Sequence, residues 1–274
     1  MKIIFDLKTI TIMSRFFERK GVSISKIAEY AYNRFYCPHD VSELFKLLCK
    51  WGINVSWIIE AGCHDGSDSK KMLDTPGVER LYAFEPDKVA REKAESLLSS
   101  ELGKRYNVSG LALMDKSGEM SIDYLEAPGS GNTQIGEKIH SAPKSILATK
   151  LDDFPIPEKK DGMIWLDVEG AACKVLIGGL MTLQKIFVVK VEVEFHDMSP
   201  TRNANWKPIT FLLKKQGFFI RKANINPTYF GDMLFVRRSC LSRSQIVKST
   251  LILGLMLALH EVVYPLLRKP IKKY

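Results

Sequence analysis

Apolar positions recur at helical spacing near the start of the chain, where Leu44, Leu47 and Leu48 share a face and strand signals are few. After residue 50 the pattern changes to short apolar runs alternating with amphipathic stretches. Trp57-Ile58-Ile59 predicts a short strand ending at a glycine-bearing turn, and Ser67–Leu73 behind it has helical character. Arg80–Phe84 predicts the next strand and Asp87–Leu98 the next helix, with Asp87 as its N-cap after Pro86. Val108–Met114 reads as a third strand. Asp115-Lys116-Ser117-Gly118 carries turn chemistry, so the alternating stretch Glu119–Leu125 is expected to make a hairpin arm. Met163–Val168 predicts a fourth, buried strand, followed by a helix over Ala171–Leu183. The Val-rich segment Ile186–Phe195 predicts a fifth. Trp206–Gln216 reads as a helix closed by Gly217, and Phe218–Ala223 and Met233–Arg237 as the last strands.

Strands alternating with helices imply βαβ units and a mostly parallel, doubly wound sheet. The last two strands are too close in sequence for a crossover helix, so they are expected to form an antiparallel edge pair. The expected fold is therefore a Rossmann-like α/β domain over residues 51–238, preceded by a helical extension (1–50) and followed by a basic, apolar helical tail (239–274). Ligands of such sheets lie beyond the carboxyl ends of the strands. No internal repeat or low-complexity tract competes with this reading.

Composition changes the picture only at the margins. Hydrophobic residues make up 46% of 274, enough for a real core. The net charge of +9, from 40 Lys and Arg against 31 Asp and Glu, favours anionic partners. The five cysteines form no C-x-x-C pair and have no histidines at zinc-ligand spacing, so reduced thiols in a cytoplasmic protein are expected and no metal is assigned. Met1–Gly21 is broken by Lys2, Asp6, Lys8, Arg15, Glu18, Arg19 and Lys20, which leaves no apolar signal region. Leu251–Leu267 is apolar apart from His260 and Glu261, also contains Pro265, and falls short of the roughly 20 residues a span requires. Lys248 precedes it and Arg268, Lys269, Lys272 and Lys273 follow. That arrangement fits an anchor on an anionic membrane surface, with docking on the body or on a partner chain as the alternative. Since part of the excess charge gathers in this tail, nucleic acid is not expected as a partner. The sequence is silent on oligomeric state.

The segment after the first strand is Glu60-Ala61-Gly62-Cys63-His64-Asp65-Gly66-Ser67. Gly62 and Gly66 permit tight turning and close approach of a ligand to the backbone. A carboxylate at the strand end suits a cationic group and repels a pyrophosphate, and the spacing lacks the three glycines of a dinucleotide loop. Glu85, ending the second strand, stands about 20 residues beyond the glycines, where an acidic residue hydrogen-bonds ribose hydroxyls. Asp87 already serves as the helix cap, which leaves Glu85 for another task. Together these features point to S-adenosylmethionine (SAM), whose sulfonium and ammonium are cationic. Glu60, Gly62, His64, Asp65, Gly66, Ser67, Glu85 and Pro86 are its expected contacts.

At this point the motifs resemble a known family. Glu60–Ser67 is similar to the first motif of FkbM-type methyltransferases, and Tyr82-Ala83-Phe84-Glu85-Pro86 to the second. Ala112-Leu113-Met114-Asp115, Leu151-Asp152-Asp153 and Leu166-Asp167-Val168-Glu169-Gly170-Ala171 follow in the family's order. The resemblance adds Ala112 and Leu113 to the cofactor contacts. It implies a SAM-dependent O-methyltransferase acting on a sugar, glycan or similar small molecule. Three positions depart from the pattern. Cys63 replaces a common Ala, Trp165 a common Lys, and Ala172-Cys173 a common Glu. A non-catalytic SAM-fold binding protein is the alternative these departures support, and a nicotinamide-dependent oxidoreductase is disfavoured by the first loop.

Methyl transfer from a sulfonium is an in-line displacement, aided by alignment and by a base at the acceptor hydroxyl. Asp167 and Glu169 end the fourth strand. Glu192, Glu194 and His196 share one face of the fifth by alternation, with His196 nearest the expected cleft. Asp167, His196 and Glu194 are the candidate catalytic residues, and Glu169 a substrate contact. Pro128–Thr133, a glycine-bearing loop that includes Asn132, is the candidate lid and a second substrate contact.

Overall fold

The structure is a computed structural model that describes residues 36–124, 133–136, 144–194, 205–224 and 230–258. Helix α1 (Val41–Lys50) opens the described chain, with the Asp40 carboxylate accepting from the Glu43 amide at 3.2 Å as its N-cap. Its inner face is Val41, Leu44 and Leu48, all at or below 1% exposure, and Leu47 turns half outward. These side chains join the core that lines one face of the main sheet, so α1 is packed into the domain it precedes.

The main sheet has seven strands. They are β1 (Trp57–Ala61), β2 (Arg80–Phe84), β3 (Tyr106–Ser109), β8 (Gly162–Leu166), β9 (Ile186–Glu194), β10 (Phe218–Ala223) and β11 (Phe230–Arg237). Their spatial order is β10-β11-β9-β8-β1-β2-β3. The first five are parallel, while β11 runs antiparallel to both β9 and β10. The expected antiparallel edge pair and doubly wound sheet are therefore present. Chain order runs outward from β1 to β3 on one side and from β8 to β9 on the other. The order thus reverses between β1 and β8, the position at which open α/β sheets bind ligands in a crevice at the carboxyl ends.

Both faces of the sheet are covered, which is why β1 and β8 are buried at every position. Ile58, Leu81, Met163, Trp165, Val188 and Leu234 face α1 and the packed helix α2 (Ser67–Leu73). Ile59, Ile164, Leu166, Val189 and Val191 face the opposite way, towards α4 (Ala172–Ile177) and α5 (Trp206–Lys215). Helix α3 (Lys88–Leu97) begins at Asp87, whose carboxylate accepts from the Val89 amide at 2.9 Å, as its cap position predicted.

Three expectations are corrected. The expected third strand is two strands. Chain direction breaks at Gly110, where an added Cβ would lie 2.5 Å from the Arg91 guanidinium. Beyond that break β4 (Ala112–Met114) leaves the main sheet for a second one, with β5 (Gly118–Tyr124), β6 (Thr133–Gly136) and β7 (Lys144–Lys150) in the order β4-β7-β5-β6. The expected hairpin arm is thus the centre of a four-stranded sheet. The expected helix over Ala171–Leu183 is also shorter, stopping at Ile177. Gly178 and Gly179 lie against the Met114 carbonyl and Leu151, where a Cβ would approach to 2.0 and 2.9 Å. The tail begins as α6 (Arg243–Ala258), packed against β10. No described helix is long and apolar enough to cross a membrane.

Candidate active site

The first loop closes over the crevice between β1 and β8. Gly62 has φ +82, and a Cβ there would lie 1.8 Å from the Asp167 carbonyl oxygen. Only glycine fits, because the backbone after β1 runs directly against the backbone after β8. The Asp167 amide in turn donates to the Ala61 carbonyl at 3.0 Å. Gly66, with φ +80, starts α2 so near α3 that a Cβ would meet the Ala94 methyl at 2.9 Å. Each of the two loop glycines therefore answers a close contact with a different neighbour.

Glu85 ties the loop to β2. One carboxylate oxygen accepts from the His64 amide at 3.0 Å and the other from the Asp87 amide at 2.9 Å. His64 itself has φ +48, a left-handed conformation held by that bond. Burial raises the Glu85 carboxyl, and its two backbone hydrogen bonds oppose the rise. At 7% exposure Glu85 keeps a small open edge. Each of its oxygens also retains a lone pair beyond the one it uses. Pro86 is half-buried beside it, and Asp65 folds back so that its carboxylate accepts from the Ser67 amide at 3.0 Å.

Glu60 sits elsewhere than the sequence expects. It is 1% exposed, and its carboxyl accepts from the Ser69 hydroxyl beneath the loop. Burial pushes it up to about 8, and repulsion from Asp68, Asp167 and Glu85 adds to the rise. In this conformation Glu60 braces the start of α2 and presents no surface to a ligand. Ala112 and Leu113 are likewise buried, at 2% and 5%, so β4 can offer a ligand only its backbone. Cys63 lies under the loop and accepts from the Tyr106 hydroxyl at 3.8 Å, and burial pushes its thiol up.

The carboxyl ends of β8 and β9 bring acidic groups together. Asp167, Glu169 and Glu192 each present an oxygen within 4.8 Å of the others. Glu169 has φ +44 and is followed by Gly170 at φ +95, a kink that turns the chain into α4. Asp167 opens to solvent at the crevice floor but is otherwise ringed by protein. That loss of bulk water raises its carboxyl, while Lys190 and a hydrogen bond from Glu192 act the other way. Glu192 is raised by burial and then by the charges of Asp167, Asp232 and Glu169. Two hydrogen-bonded carboxyls cannot both be ionised comfortably, so the pair holds one proton, and burial places it on Glu192.

Glu194 ends β9 at 1% exposure, too enclosed to meet an acceptor without movement. His196, Asn132 and the rest of the Pro128–Thr133 lid lie outside the described residues, apart from the backbone of Thr133 in β6. The sequence reading missed Lys190, Asp232 and His39. The Lys190 ammonium is 2.7 Å from one Asp232 oxygen, and the His39 imidazole lies against the other. Trp165, the departure from the motif, lies under Lys190 with its ring centroid 3.9 Å from the ammonium. The Leu151-Asp152-Asp153 motif is structural. Leu151 is core, Asp152 accepts from the Met181 and Thr182 amides, and Asp153 accepts from the Ser117 hydroxyl.

Residues 60–220 match the methyltransferase FkbM domain, from the first loop through β8 and β9 to β10. The chain belongs to the FkbM methyltransferase family. This FkbM-family methyltransferase is also 28% identical over 156 residues to the 2-O-methyltransferase NoeI of Sinorhizobium fredii, a match covering 49% of this chain and 62% of that protein's length. Among solved structures it is similar to the N-methyltransferase NodS from Bradyrhizobium japonicum (TM-score 0.44, 10% identity, 72% of this chain and 95% of that one). It is also similar to a SAM-dependent methyltransferase from Clostridium acetobutylicum (TM-score 0.45, 8% identity, 84% and 98%).

Proposed function

We propose that this methyltransferase uses SAM and transfers its methyl group to a hydroxyl oxygen of a saccharide or similar small molecule. The observation that carries the reading is the placement of Glu85 and Asp167. The two carboxylates flank the β1 loop at the switch point, Glu85 after β2 and Asp167 after β8. That set suits a ligand with ribose hydroxyls at one end and a sulfonium at the other, and it would repel a pyrophosphate. Glu85 and Pro86 would hold the ribose. The backbone of Gly62–Ser67, shaped by Glu60 and Ser69 beneath it, would hold the remainder, with Ala112 and Leu113 contributing main-chain contacts. When bound, SAM supplies an electrophilic methyl group.

The protein's part is to align the acceptor and take its proton. Asp167, accessible at the crevice floor, accepts the hydroxyl proton as the oxygen closes on the methyl carbon. Glu192 stays protonated and hydrogen-bonds Asp167, which keeps that carboxylate oriented. Glu169 is placed to bind a neighbouring acceptor hydroxyl. His196 and Asn132 belong to the same proposal as a second base and a lid contact. Oxygen as the acceptor atom is supported by the likeness to a 2-O-methyltransferase. We also propose that the apolar and basic tail rests on an anionic membrane surface. Val247 and Leu251, one turn apart on α6 and 59% and 57% exposed, support it.

Titration calorimetry with SAM and with NAD tests the cofactor assignment. Micromolar or tighter SAM binding, weakened at least about tenfold in Glu85→Ala by loss of ribose hydrogen bonds, is expected. Binding of NAD in preference to SAM would overturn it.

A further inference from the structure

The buried ion pair beside the acidic crevice has no place in the mechanism above. Lys190 and Asp232 have side chains 5% and 4% exposed, on neighbouring antiparallel strands. Burying such a pair brings little stability, because desolvation offsets the attraction and apolar residues of similar volume often serve as well. Its location is more informative. Glu192 is the register partner of Asp232, and Asp167 lies one residue beyond the Leu166–Val191 rung. Side chains two apart on a strand share a face, so Asp167, Glu192 and Asp232 make a row across three strands, with Lys190 one step below it. The ammonium is held from two sides. Trp165 lies under it at 3.9 Å, Asp232 anchors it at 2.7 Å, and Asp232 is itself fixed by His39. His39 is braced in turn by Asn224, whose side-chain oxygen accepts from the Cys37 amide at 2.9 Å.

We propose that Lys190 is a positioning residue for methyl transfer, a fixed buried cation that keeps the negative charge of the Asp167–Glu192 pair at the crevice floor, where the acceptor hydroxyl's proton must go. In the step it serves, the acceptor oxygen forms a bond to the methyl carbon as the carbon–sulfur bond breaks. The electron pair of that bond passes to sulfur, giving a neutral thioether, and the hydroxyl proton passes to the Asp167 carboxylate. Asp167 is faced by Glu60 of β1, Asp68 of α2, Glu169 of the following loop, Lys190 and Glu192 of β9, Asp232 of β11 and, behind it, His39. Burial and the charges of Asp232 and Asp68 oppose ionisation of Asp167, while the hydrogen bond from Glu192 favours it. Lys190 also favours it, and acts on Asp167 more strongly than Asp232 does in the opposite sense.

The inference rests on the methyl-transfer reading for its meaning, but its test does not need the acceptor. Carbon-13 carboxyl titration of the full chain, with Asp167 assigned by Asp167→Asn, reads the charge state directly. In Lys190→Met the Asp167 midpoint is expected to rise by about 1 unit, and in Lys190→Arg to stay at the wild-type value. Should Lys190→Met fail to fold, Lys190→Met/Asp232→Leu replaces both charges by apolar groups. Its midpoint should lie above that of Asp232→Leu alone, because the two differ only in the Lys190 charge. Once an acceptor is in hand, the acid limb of kcat/KM should move with the midpoint while SAM affinity does not change. An Asp167 midpoint that stays put when the Lys190 charge is removed, in the variants that fold, would overturn the proposal. Failure of the wild-type protein to transfer methyl groups to any hydroxyl would instead overturn the functional reading and leave the titration result standing.

Discussion

Glu60 and Glu85 end adjacent strands, yet their surroundings give them different tasks. Glu85 meets two backbone amides and keeps an open edge. Glu60 meets one hydroxyl in a closed space and is pushed up from 4.5 to about 8. The folded state therefore holds the Glu60 proton more tightly than the unfolded chain does. The stability this confers is whole below pH 4.5 and is lost as the pH rises through about 8. Glu60→Gln can still accept from Ser69 but carries no titratable proton. Melting temperatures measured from about pH 5 to about pH 9 should fall more steeply for the wild-type protein than for Glu60→Gln. Parallel curves would show that Glu60 does not titrate as its burial implies. At this scale Glu85 and the Asp87 cap were legible, because strand-end position and cap chemistry are local. The enclosure of Glu60 depends on Ser69 and on the packing of α2, which spacing cannot show. Lys190 and Asp232 were invisible because only sheet register brings them together, and His39 because it reaches Asp232 through the packing of the segment before α1.

Elements whose signals are local, such as α2, β1 and β2, follow the hydrophobic pattern almost to the residue. The departures occur where a tertiary contact ends an element early. Met114 and Leu151 stop α4 at its two glycines, and β4 turns away to pair with β7, a strand too weakly patterned to be read. Helix α1 shows the reverse. Its amphipathic spacing was plain, but its integration into the sheet's core was not. Leu44 is fully buried among Ile58, Met72 and Leu81. Leu44→Ala should destabilise the whole domain by about 2–5 kcal/mol, measured by denaturant unfolding, because the cavity opens in a shared core. A loss below about 0.5 kcal/mol, as at a surface position, would mean that α1 is a detachable extension.

For the whole molecule, the order reversal between β1 and β8 is where the fold gathers the first, second and Leu166–Ala171 motifs, and where the proposed chemistry is placed. The five motifs were legible as a series, but their division of labour was not. The first and second shape one wall of the crevice, Leu166–Ala171 supplies its floor, and Leu151–Asp153 only braces the back. The net charge of +9 belongs to this scale as well. Sedimentation with vesicles containing anionic lipid should pull down the full chain, and removing residues 259–274, which leaves α6 in place against β10, should release it. Equal binding to neutral vesicles, or unchanged binding after the truncation, would remove the tail from this role. The most direct test of the central claim is methyl transfer itself, with labelled SAM, a panel of free saccharides and the Asp167→Asn variant. The wild-type protein should label a saccharide oxygen, and Asp167→Asn should lose at least about 100-fold in kcat while still binding SAM. Undiminished transfer by Asp167→Asn, or label on nitrogen instead of oxygen, would contradict it.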